Sequence, residues 1–222
     1  MTAVLFPVDQ NDLDFLRSQW NDLLSSFPTD RDSKESFFQI LKEKYSEKNR
    51  FYHNLSHVRT MLNLHASFNH KVQNSQAIQF SIWFHDAVYN TERTDNEEES
   101  ARFASESLEI LSVPTETVEV IRDLILATKH HSGADLSDDA KLFLDMDLAI
   151  LGMQEEIYRK YSQAIRNEYS WVPETTYRDG RRKILMNFMS RERIYFTEDL
   201  TARFEEQARK NMNREIALLA AE

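Results

Sequence analysis

The stretch QAIQFSIWFHDAVY, residues 76–89, is dense in apolar and aromatic side chains. This composition predicts a helix buried at the centre of the fold. His85 and Asp86 stand side by side inside it. Because an unpaired imidazole or carboxylate is costly to bury, the pair predicts a partner, and a metal ion is one candidate.

Outward from this segment, apolar residues recur at three- and four-residue spacing along most of the chain. Only 3 Gly and 4 Pro occur in 222 residues, so signals for turns and hairpins are scarce. The sequence therefore predicts an all-α protein. The predicted helices cover residues 11–27, 34–45, 52–68, 76–89, 96–111, 118–130, 139–151, 154–169, 178–189 and 201–219.

The composition narrows the possible partners and compartments. The formal net charge of -10 disfavours binding to a nucleic-acid polymer, and a phosphate ligand would need positive charge concentrated locally. No uncharged apolar run reaches membrane-spanning length, so we expect no membrane partner. Cysteine is absent, which excludes disulfides and thiolate metal sites. With no signal-peptide pattern at the start, we expect a cytoplasmic protein.

Two carboxylates lie close together on the predicted helix 139–151. The neighbours of Asp147 three and four positions away are all apolar, so this side chain should be buried and should need a cation. Asp145 has Lys141 four positions before it, and an ion pair would explain it. We therefore predict that Asp147 is the functional residue of the two.

His57, at the start of the third predicted helix, adds a second imidazole to His85, Asp86 and Asp147. Two imidazoles and two carboxylates suit Mn, Fe, Ni, Co or Zn, and Mg is possible. Taken singly, an interior histidine is more often a hydrogen-bonded core residue, and an aspartate at a helix end is more often a cap. Their combination on apolar faces of separate helices favours a metal site.

The ordered set His57, His85–Asp86, Asp147 resembles the HD superfamily of metal-dependent phosphohydrolases. Longer segments resemble a bacterial subgroup of predicted HD phosphohydrolases, over about residues 20–218. These segments are YHNLSHV (52–58), WFHDAVYN (83–90), DNEEESA (95–101), LATKHH (126–131), LDMDLAILG (144–152) and GRRKIL (180–185).

The resemblance implies that His57, His85, Asp86 and Asp147 are the four metal ligands. It implies an HD-type helical bundle with additional N- and C-terminal helices. On this basis, residues 1–222 form one domain, with a core at about 50–152 and a helical extension at about 153–222.

The resemblance also suggests residues that act on the substrate. Glu97, with Asp86, is a candidate catalytic residue, although Thr94 with Glu97, or Asp95 with Glu98, could instead form a capping box. A Glu98–Arg102 ion pair is also expected.

Further along the chain, Lys129, His130, His131 and Arg181 are candidate phosphate contacts. The two histidines could instead cap a helix C-terminus or reach a second ion, Lys129 could simply be exposed, and Arg181 could pair with an internal acid such as Glu168.

The leading functional hypothesis is hydrolysis of a small phosphorylated molecule, with a nucleotide preferred, by metal-activated water. One alternative is a di-iron oxygenase of HD fold, for which His130 and His131 would supply extra ligands. A second alternative is a non-catalytic nucleotide sensor in which the metal is structural. The sequence gives no information on the oligomeric state.

Overall fold

Every regular element in the described part of the chain is helical. The computed structural model describes residues 5–131 and 136–221, and it contains no strand within these ranges. Short 3₁₀ segments follow α1 and α7, at Leu24–Ser26 and Leu148–Gly152. The α-helices in these ranges are α1 Gln10–Leu23, α2 Arg31–Tyr45, α3 Leu55–Phe68, α4 Ser75–Phe84, α5 Asn96–Ile110, α6 Thr115–Ala127, α7 Asp138–Asp147, α8 Glu155–Glu168, α9 Glu174–Met189 and α10 Glu198–Ala220. The all-α prediction is confirmed.

Helix α4 lies at the centre, as its sequence predicts. It contacts α3, α5, α6 and α7, and Ile82, Trp83 and Phe84 are fully buried. Trp20 of α1 packs edge-on against Trp83, with ring centroids 5.4 Å apart. The apolar residues on either side of His85 are therefore the main core of the protein.

The predicted helix 76–89 is too long at its C-terminal end, because α4 stops at Phe84. A distant residue holds the turn that follows. The Arg50 guanidinium donates to the carbonyl oxygens of Asp86 at 2.5 Å and Ala87 at 3.1 Å. In a longer helix, these two carbonyl groups would accept hydrogen bonds from the backbone of the next turn. Here the Arg50 side chain donates to them instead. His85 is the C-cap, and Asp86 lies in the turn that follows.

Two other boundaries position candidate residues in turns. Helix α6 starts at Thr115, directly after Pro114, and ends at Ala127. Residues 128–131 consequently lie in a turn rather than in the predicted helix 118–130. Helix α7 ends at Asp147, where the chain tightens into the 3₁₀ segment.

Helix α10 packs closely on the 3₁₀ segment that follows α7. A Cβ atom built on Gly152 would lie 2.6 Å from the backbone oxygen of Phe204, so only glycine fits at this contact. The Asn211 amide of α10 donates to the carbonyl oxygens of Leu151 and Met153, each at 2.8 Å. The C-terminal helices thus pack directly against the segment that follows Asp147.

Among the described helices, none combines the length and the apolar character that crossing a membrane requires.

Candidate metal centre

Three separate segments bring four side chains to one point. His57 is on the first turn of α3, His85 and Asp86 follow α4, and Asp147 is the last residue of α7. His57 Nε2 lies 3.1 Å from His85 Nε2 and 3.0 Å from Asp147 Oδ1. Asp86 Oδ2 lies 3.0 Å from His85 Nε2 and 3.8 Å from His57 Nε2. His57, His85 and Asp147 form a group that could hold a metal ion.

The spacing of these atoms fits one shared cation. Neighbouring ligands bonded to an octahedral ion at about 2.1 Å lie about 3.0 Å apart. The separations between a histidine Nε2 and a carboxylate oxygen in the cluster run from 3.0 to 3.8 Å, and the group whose ligand atoms all lie within 4.8 Å of one another is His57, His85 and Asp147. His85 Nδ1 lies 3.1 Å from the carbonyl oxygen of Ile82, to which it can donate. That bond leaves the lone pair of Nε2 directed at the cluster, as a metal ligand requires.

The ionisation of these residues also depends on their proximity. Burial opposes charge on Asp147, but hydrogen bonds from His131, His57 and His85 hold its pKa well below the usual range. Burial lowers the pKa of His85, whereas the carboxylates of Asp86 and Asp147 raise it well above its usual value. The two half-buried carboxylates therefore attract positive charge to this point, which is the electrostatic condition for binding a cation.

His131 extends the cluster from the turn after α6. Its Nε2 lies 2.7 Å from Asp147 Oδ2. Its backbone has a φ of 44°, a left-handed conformation that is uncommon for residues other than glycine. Arg191 secures this turn by donating to the carbonyl oxygen of His131 at 2.7 Å. A strained backbone stabilised by a distant side chain is typical of functional sites.

A pocket of about 410 Å³, here called the Asp147 pocket, opens beside the cluster. Its walls include Asp147 itself and the basic or imidazole residues Lys129, His130, His131 and Arg191. Arg191 is half-buried, and its burial lowers its pKa. No feature of the sequence around Arg191 distinguished it as a site residue.

Two of the other candidates have partners of their own. Lys129 forms an ion pair with Glu98 and donates to the Thr94 carbonyl oxygen at 2.9 Å. Arg181 is buried, and its guanidinium pairs with Glu215 of α10 at 2.9 Å. The alternative that Arg181 pairs with an internal acid is therefore present, but the acid is Glu215 and not Glu168. Both side chains still line the Asp147 pocket, and their role towards a substrate stays a prediction.

Glu97 lies half-buried in the first turn of α5, and its proposed catalytic role stays a prediction. The capping box expected here is wrong, because the N-cap residue Asp95 makes no capping hydrogen bond with its side chain. Its carboxylate is held instead by Arg93, at 2.7 and 2.8 Å. The expected ion pair between Glu98 and Arg102 is also wrong, because Arg102 pairs with Glu99 and Glu106.

Asp145 has a structural explanation that differs from the expected one. Lys141 pairs with Asp138, not with Asp145. Asp145 is fully buried and accepts hydrogen bonds from the backbone N–H groups of Phe196 and Thr197, each at 2.7 Å. It therefore joins α7 to the start of α10.

The sequence analysis missed His53, which lines the Asp147 pocket. Its Nδ1 lies 2.7 Å from the buried carboxylate of Glu168. The other oxygen of Glu168 accepts the backbone N–H groups of residues 51–53, at 2.7 to 3.0 Å. Only its position in the sequence could have indicated His53, because it lies four residues before His57.

Comparison with known proteins adds no assignment, because no protein-family model, no curated protein and no solved structure matches the chain.

Proposed function

We propose that this protein is a metal-dependent phosphohydrolase of the HD superfamily that acts on a small phosphorylated molecule, with a nucleotide as the leading candidate. The observation that carries the proposal is the convergence of His57, His85, Asp86 and Asp147 beside a pocket with basic walls. The ordered motifs of the sequence supply the family.

The four cluster residues would hold the ion in this reaction. A divalent ion bound there supplies two effects, polarisation of a phosphoryl oxygen and a lowered pKa for a water. Asp147 lies on the wall of the pocket, so a substrate in the pocket meets the cluster at this residue. His57 and His85 are buried and are therefore held rigidly behind it.

The walls of the Asp147 pocket suit a phosphate group. The chain carries a net charge of -10, so an anionic substrate needs local compensation. Lys129, His130, His131 and Arg191 can donate hydrogen bonds to phosphoryl oxygens. Arg191 also holds the turn that carries both histidines, since it donates to both of their carbonyl oxygens.

The test is release of phosphate or pyrophosphate from a panel of phosphate esters and nucleotides, with Mn, Mg, Fe, Co, Ni and Zn supplied in turn. We expect Asp86→Asn to lower turnover at least about 100-fold, because loss of a direct ligand should exceed the 10–100-fold cost of losing an outer partner. Asp95→Asn, an exposed carboxylate paired with Arg93, is the matched control and should keep wild-type turnover. Absence of release with every metal and every substrate would refute the proposal.

The oxygenase alternative has one observation in its favour, the contact of a third imidazole, His131, with Asp147. Such a contact would suit a second ion. Metal analysis separates the two functions, because about two irons per chain with visible-region absorbance would favour oxidation. A single exchangeable divalent ion would favour hydrolysis.

A further inference from the structure

A second pocket, of about 560 Å³, lies next to the Asp147 pocket and is here called the Trp171 pocket. It lies between the end of α8, the loop to α9 and the first half of α9. Its walls are mostly apolar and include the aromatic residues Tyr89, Tyr161, Tyr169, Trp171 and Tyr177. A pocket with this many aromatic rings is suited to a flat, apolar ligand group.

Trp171 is exposed although it is held in place. Its residue exposure is 54%, whereas Trp20 and Trp83 are fully buried. Its indole N–H donates to the Thr91 hydroxyl at 2.8 Å, which fixes the orientation of the ring. Ile184, on the same pocket wall, is 52% exposed. Two large exposed apolar side chains on the walls of one pocket, one of them oriented by a hydrogen bond, are typical of a binding surface.

Gly180 gives an independent indication. It lies inside α9, where glycine weakens a helix, and its φ is not in the left-handed region. A Cβ atom built on it meets nothing within 4 Å, so packing does not require glycine here, in contrast to Gly152. Gly180 lines the Trp171 pocket, and the absence of a side chain at this position leaves more room in the pocket. Neither the backbone conformation nor the packing requires glycine at position 180, whereas space for a ligand would.

The two pockets share part of their walls. His53, Tyr161, Arg181 and Ile184 line both of them, so one ligand can extend from the Asp147 pocket into the Trp171 pocket. Tyr177 contributes its ring to this wall, and its hydroxyl is buried without a hydrogen-bond partner among the described residues. The polar side chains of Thr176 and Arg181 line the same pocket, so a heteroaromatic ring, with polar atoms on its edge, matches this wall better than an alkyl chain does.

We propose that the Trp171 pocket is a subsite for a planar heteroaromatic ring, stacked on Trp171, that belongs to the molecule whose phosphate occupies the Asp147 pocket. The assignment of the phosphate end rests on the proposed function, whereas the ring subsite rests on the pocket itself. Stacking on an aromatic face tolerates different bases, so purine and pyrimidine rings should both bind.

The protein carries its own probe for this test. Trp171 is exposed whereas Trp20 and Trp83 are buried, and a ligand-induced change in tryptophan fluorescence that disappears in Trp171→Phe is assigned to Trp171. We expect adenosine, which has no phosphate, to change the fluorescence with a saturable dependence, and ribose 5-phosphate to have much less effect. A change with ribose 5-phosphate alone, or no saturable change with adenosine, would overturn the proposal.

Gly180→Leu tests the location of the subsite. The added side chain extends into open space, so the fold should be retained, and thermal unfolding checks this. We expect adenosine to bind at least about tenfold more weakly to Gly180→Leu, while Gly180→Ala, which adds one methyl group, stays near wild type. Equal affinity of a folded Gly180→Leu and the wild type would place the ring elsewhere and refute the proposal.

The outcome is separable from that of the proposed function. Adenosine cannot lose a phosphate, so its binding is measured without turnover. Adenosine binding with no phosphate release from any ester would support the subsite and refute the hydrolase. Phosphate release without adenosine binding would support the hydrolase and refute the subsite.

Discussion

At the residue scale, the candidate centre depends on four donors that face one another from three segments. Attraction between opposite charges does not account for the close approach of the two imidazoles, because the Nε2 atoms of His57 and His85 lie only 3.1 Å apart. Two lone pairs at this distance repel unless a proton or a cation lies between them. The carboxylates of Asp86 and Asp147 favour positive charge at this point, which a proton on His85 or a bound cation would supply.

We expect Asp147→Asn to bind its divalent metal at least tenfold more weakly, because an amide oxygen replaces a charged ligand. Metal content after dialysis, measured by elemental analysis, checks this. Asp138→Asn is a matched control on the same helix, because Asp138 is exposed and pairs with Lys141. Wild-type metal content in Asp147→Asn would contradict the assignment of this residue.

The sequence predicts the surroundings of some residues of this site but not of others. Apolar neighbours on the helix indicated that Asp147 needs a partner, and it lies with His57 and His85. The same reasoning failed for Asp145, whose hydrogen-bond donors lie 51 and 52 residues further along the chain. Arg181 likewise pairs with Glu215, 34 residues away. Helix periodicity reports burial from local spacing, but it does not identify a distant partner.

At the element scale, the existence of every α-helix in the described residues was predictable, but several ends were not. Helix α4 ends at Phe84, and Arg50, far away in sequence, donates to carbonyl groups in the turn that follows. His85 keeps helical dihedral angles at this end, with φ of -57° and ψ of -37°, and Asp86 comes directly after it. In the turn, both side chains reach the same cluster.

The two glycines in the described part of the chain predict opposite outcomes for the same substitution. Gly152→Ala forces a methyl group against Phe204, so we expect a loss of about 1–3 kcal/mol in the free energy of unfolding. Gly180→Ala improves helix propensity without a clash, so we expect a gain of about 0.5–1 kcal/mol. Urea denaturation measures both. Equal effects of the two substitutions would contradict the close contact between Gly152 and Phe204 of α10.

At the scale of the whole molecule, a buried ion pair and a buried hydrogen bond join the C-terminal helices to each other. Glu215 of α10 accepts hydrogen bonds from Arg181 of α9 and Tyr158 of α8. Burial raises the pKa of Glu215, but the charge and hydrogen bonds of Arg181 lower it below its usual value of 4.5. The stabilisation by this carboxylate is therefore complete above pH 4.5 and is lost as the pH falls through the lowered pKa.

We consequently expect the urea midpoint to fall on acidification below about pH 4.5. Glu215→Gln should cost about 3 kcal/mol at neutral pH, because Arg181 stays buried without a counter-charge, and should flatten the acid dependence. Glu206→Gln is the control, since Glu206 is an exposed residue of α10 that pairs with Lys210, and it should behave like wild type. An unchanged acid profile in Glu215→Gln would exclude this pair as the cause.

The hydrogen bonds between Asp145 and Thr197 have a practical consequence for the design of shorter fragments of the protein. A recombinant fragment that stops at residue 152 would contain His57, His85, Asp86 and Asp147, yet it would lack the donors at Phe196 and Thr197 that Asp145 uses. Asp145 lies half a helical turn before Asp147, so releasing it would loosen Asp147 as well. A minimal fragment that keeps the candidate metal centre intact must therefore include the beginning of α10.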